Sequence, residues 1–105
     1  MQNCPAFAIV TERPATLKPF VEAAVKNKQK WAENDIGLSV AHYCLQAADL
    51  GLGTCIIGMV EEDKVREYFG IEDKIRLVIA TGYSADEAPR NKVRKSLDEV
   101  CEVIE

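Results

Sequence analysis

Residues 34–51, NDIGLSVAHYCLQAADLG, constrain the fold more than any other stretch. Ile36, Val40, Cys44 and Ala47 repeat along one helical line, and Leu38, Ala41, Leu45 and Ala48 along a second, so apolar surface covers most of the circumference. Such a helix needs cover on several sides, which predicts that it runs through the middle of the molecule. Asn34 or Asp35 is its natural cap and Gly51 its natural stop. Beyond Gly51-Leu52-Gly53 the chain changes character, and GTCIIG (53–58) reads as a short strand or extended loop. Glycine lets a chain leave a helix in the left-handed conformation, and it also lets backbone approach a flat ligand closely. The residues alone leave both readings open.

The flanking segments predict an α+β arrangement. CPAFAIVTE (4–12) is a run of strand formers with Pro5 at its front, where a strand accepts proline. Thr16 can cap a helix bearing Leu17, Phe20, Val21, Ala24 and Val25, with KNKQK (26–30) near its C-terminal end. Glu61, Glu62 and Asp63 place negative charge at the start of another helix, which carries Val65, Tyr68 and Phe69 and stops at Gly70. KIRLVIATGY (74–83) begins with alternation and becomes uniformly apolar, as a strand entering the interior of a sheet does. Residues 84–95 lack a hydrophobic period and are expected to be irregular. Ser96 and Glu99 then form a capping box for a last helix with Leu97, Val100, Cys101 and Ile104. With 105 residues, one core is expected.

Composition narrows the function. A formal charge of -4, from 13 Lys plus Arg against 17 Asp plus Glu, gives no overall field for nucleic acid or anionic lipid. No apolar run reaches the roughly 20 residues of a membrane span, and no signal core follows the N-terminus, so a cytoplasmic protein is expected. Cys4, Cys44, Cys55 and Cys101 lack the paired spacing of a zinc site and the density of a disulfide scaffold, and read as buried thiols. His42, the single histidine, has no nucleophile motif around it. Neither a metal site nor a catalytic side chain is predicted.

Two segments could hold a ligand. Residues 51–59 leave a helix instead of opening one and lack Gly-Lys-Ser/Thr, so they are no phosphate loop. They could offer backbone N–H groups to the polar edge of a planar ring, or be a plain helix cap followed by a core strand. Arg90, Lys92, Arg94 and Lys95 form a cationic cluster in an acidic chain. It fits a one-phosphate clamp if Lys92 and Arg94 lie on the same side of an extended segment, but the residues alone favour a solvated surface.

The order of CPAFAIV, DIGLSVAHYCLQAADLGLGTC, IIGMVEEDKVREYFGI, LVIATGY and KVRKSLDEV resembles the C-terminal part of the nitroreductase family, most specifically over residues 47–71. The resemblance implies a partial nitroreductase-like α+β fold, with a central buried helix packed on a small mixed β-sheet and the family's N-terminal portion absent. It implies FMN as cofactor, NADH or NADPH as electron donor, and a nitroaromatic, quinone or related small-molecule acceptor. Carried over by position, Ile56 and Ile57 would pack on the flavin ring, the amides of Gly58 and Met59 would face its N5 and O4 edge, and Lys92 and Arg94 would hold the ribityl phosphate. It further implies a homodimer or completion by a second chain, since the remaining part leaves hydrophobic surface uncovered. The alternative is a truncated interaction domain or remnant that no longer binds flavin.

Overall fold

A computed structural model describes residues 4–85, 88 and 91–104. Along the chain lie β1 (Ala6–Glu12), α1 (Pro19–Glu22), α2 (Gln29–Asp49), β2 (Gly53–Ile57), α3 (Glu62–Phe69), β3 (Lys74–Gly82) and α4 (Leu97–Val100). β3, apolar from Leu77 to Ala80, takes the centre of the sheet, in the order β1-β3-β2, because its side chains there can be buried on both faces. Both neighbours run antiparallel to it, Ala6 opposite Thr81 on one side and Gly53 opposite Gly82 on the other. The expected mixed sheet is therefore corrected to an antiparallel one: β1 and β2 run the same way, but β3 separates them and no parallel pair forms among the described residues.

The core is small. Ile75, Ile79 and Ala80 of β3 are buried together with Val40 and Ala47 of α2, and Ile79 is the most enclosed, at 1% exposure. On α2, the line of Ile36, Val40, Cys44 and Ala47 is buried or half-buried, whereas Leu38, Ala41, Leu45 and Ala48 all face outward. Leu38 remains 61% exposed and Leu45 68% exposed. The expected central, buried helix is thus covered on one side only, because the described chain supplies a single layer, the sheet, to pack against it. The radius of gyration is 17.8 Å, well above the roughly 13 Å of a compact domain of this length.

Three further expectations change. The central helix begins at Gln29, not at an Asn34 or Asp35 cap: the Asn27 side chain accepts the Lys30 N–H at 3.3 Å, and the Gln29 side chain accepts the Ala15 N–H at 2.9 Å. Lys28 and Lys30 thereby fall at the start of α2 instead of the end of the preceding helix. That preceding helix shrinks to four residues starting at Pro19, with Lys18 and not Thr16 at its N-cap. The cysteines are free thiols, but Cys55 and Cys101 are exposed. Cys55 sits on the edge strand β2, and Cys101 follows α4 in extended backbone.

A bulge in the β1–β3 ladder falls between Val10 and Thr11, which pair with Leu77 and Ile75 and leave Arg76 without an opposite residue. Its guanidinium reaches Glu12 at 2.7 Å and Glu33 at 2.6 Å, tying the end of β1 to α2. At the other end of the ladder, Gly82 lets β1 enter: a Cβ there would stand 2.7 Å from Pro5 Cδ. Gly82→Ala is expected to lower stability by about 1–3 kcal/mol by forcing strand and ring apart. A shift of the urea midpoint to lower concentration would show this; an unchanged midpoint would mean that the strand entry yields freely.

Candidate functional site

The segment after α2 owes its course to two local devices. Gly51, at φ 75°, ends the helix in the left-handed conformation, the Gly51 N–H donating to Ala48 and the Leu52 N–H to Ala47 at 2.8 Å. These two bonds are the paired closure of a Schellman motif, which reverses the chain sharply. The chain turns back as β2, whose five residues pair with Val78–Gly82 only.

β2 stops after Ile57, although β3 continues to Lys74. Where the ladder would go on, the Ile75 N–H donates instead to the Glu62 carboxylate of α3 at 2.9 Å. This side-chain substitute for a strand frees residues 58–60 to leave the sheet. Ile56 is 54% exposed and Met59 97% exposed, while Ile57 is half-buried. A Cβ placed on Gly58 would meet nothing within 4 Å, so its backbone borders open space. Exposed apolar side chains flanking accessible backbone are what a flat apolar ligand with a polar edge requires.

Lys92 and Arg94 lie in the irregular segment before α4, both exposed. Four other cations are engaged, Arg13 with Asp73, Lys28 with Glu22, Lys64 with Glu61, and Arg76 with two carboxylates, while Lys95 beside the pair forms no ion pair among the described residues either. Among the described residues neither Lys92 nor Arg94 forms an ion pair, which leaves both charges available to an anion. Arg90, the remaining arginine of the predicted cluster, lies outside the described residues. The predicted site residues thus occupy two segments, 56–59 contiguous at the end of β2 and 92 and 94 ahead of α4.

The capping box after the cations forms as expected, with the Ser96 N–H and Oγ both donating to Glu99, at 3.0 and 2.9 Å. The backbone bond, then the hydroxyl bond, hold the Glu99 pKa below the ordinary glutamate value. The sign follows from linkage: a depressed folded-state pKa means that the cap contributes above the unfolded value and is lost as pH falls through the folded one. An NMR titration of Glu99 should therefore show a midpoint below the ordinary range, with loss of the α4 cap through it; a midpoint at the ordinary value would contradict the cap.

His42 is held locally, its Nδ1–H donating to the Leu38 carbonyl at 2.8 Å, which suits a helix-surface role. Tyr43 is a contact that periodicity missed: its hydroxyl hydrogen-bonds the buried Thr81 at 2.9 Å and docks α2 onto the end of β3. Aromatic character on a helix gave no sign of a polar partner in a strand 38 residues away. Among the described residues no cluster of His, Cys, Asp or Glu is placed to hold a metal, and no helix is long and apolar enough to cross a membrane.

Comparison with known proteins bears on the family and the fold. A sequence model of the nitroreductase family matches residues 1–83. Among solved structures, a nitroreductase family protein from Streptococcus pneumoniae superposes with a TM-score of 0.66 at 29% identity, over 78% of this chain and 43% of its own. A protein from Staphylococcus epidermidis named as an NAD(P)H:FMN oxidoreductase superposes with a TM-score of 0.64 at 22% identity, over 82% of this chain and 43% of its own, a likeness of fold. The chain thus spans less than half the length of either. No curated protein matches.

Proposed function

Because the chain belongs to the nitroreductase family, we propose that it is the C-terminal portion of an FMN-dependent NAD(P)H oxidoreductase acting on nitroaromatic, quinone or related acceptors. The observation that carries this reading is the early release of β2 from the sheet, which leaves Ile56 and Met59 exposed around the unobstructed backbone of Gly58. Bound FMN would supply the redox chemistry, taking hydride from the nicotinamide and passing electrons to the acceptor.

The chain's own residues bind and polarise. Ile56 and Ile57 pack against the ring and exclude water from it, and the N–H groups of Gly58 and Met59 donate to its polar edge, favouring negative charge there. Lys92 and Arg94, which form no ion pair among the described residues, neutralise the terminal phosphate. No side chain of this set is required as an acid or base.

The open line on α2 completes the reading. Leu38, Ala41, Leu45 and Ala48 form a stripe in which alanines alternate with leucines, an apolar seam that a second copy or a second chain of the fold would cover. Leu45→Glu places a charge in this seam and is expected to turn the assembled protein into a smaller species in sedimentation. An unaltered sedimentation coefficient would show that the seam stays open to water.

Mixing purified protein with FMN and separating it by gel filtration tests the function. Flavin absorbance should travel with the protein and be retained less well when riboflavin, which lacks the phosphate, is offered. The matched length of 43% in both solved relatives favours one second reading, a portion that keeps the packing without the flavin. Colourless protein after exposure to FMN would establish that reading instead.

A further inference from the structure

We draw no further inference here: the strongest candidate, the apolar sheet face turned away from α2, on which Phe7, Ile9, Val78 and Ile57 are neighbours across the three strands, carries nothing because nothing in the structure shows what covers it.

Discussion

Ile79→Ala is expected to unfold a large fraction of the protein. Ile79 is 1% exposed at the centre of the middle strand, and the other buried apolar residues, Val40, Ala47, Ile75 and Ala80, are too few to close around a void. Truncating a fully buried isoleucine to alanine costs about 2–5 kcal/mol, through lost transfer energy and an uncollapsed cavity. Small domains are stable by only about 5–15 kcal/mol, and this one opens much of its apolar surface to water, so the loss takes most of what it has. Urea unfolding followed by circular dichroism should show a midpoint displaced far toward zero, or no cooperative transition. A loss below about 1 kcal/mol would mean that stability resides outside this core.

Replacing Lys92 and Arg94 together by alanine should weaken FMN binding by about a hundredfold or more. Hydrogen bonds to charged groups contribute about 1.5–3 kcal/mol each, and about 1.4 kcal/mol is a factor of ten. Both side chains are exposed and make no described ion pair, so removing them leaves no buried partner stranded and the fold unharmed. Riboflavin supplies the control: lacking the phosphate, it should bind the native and the doubly substituted proteins alike. Equal FMN affinities would show that the two cations face water, the reading that the residues alone favour over a phosphate clamp.

Local pattern made most elements legible. The left-handed exit at Gly51, the capping box at Ser96 and Glu99, and the helix stop at Gly70 all rest on short-range chemistry written in adjacent residues. The two apolar lines of α2 were equally readable, since helical spacing alone separates Val40 from Leu45. Which line would be buried was not, because that depends on how many layers the described chain supplies. The start of α2 was misplaced because Gln29 gains its role from Ala15, Glu12 and Arg13, partners 14 to 17 residues away. The strand directions escaped for a similar reason: apolar runs show that strands exist but not which of them are neighbours.

At the site, the glycines and small residues of 51–58 were visible as a junction. What frees the segment was not, because Glu62 capping the Ile75 N–H across 13 residues is a tertiary contact.

Amide chemical shifts during an FMN titration probe the central claim at atomic level. Gly58 and Met59 should move together with Lys92 and Arg94, saturating with a single binding constant, while the amides around Trp31 and Asp35 stay in place. Shifts confined to other segments, or a spectrum indifferent to FMN, would contradict the assignment of a flavin to the end of β2.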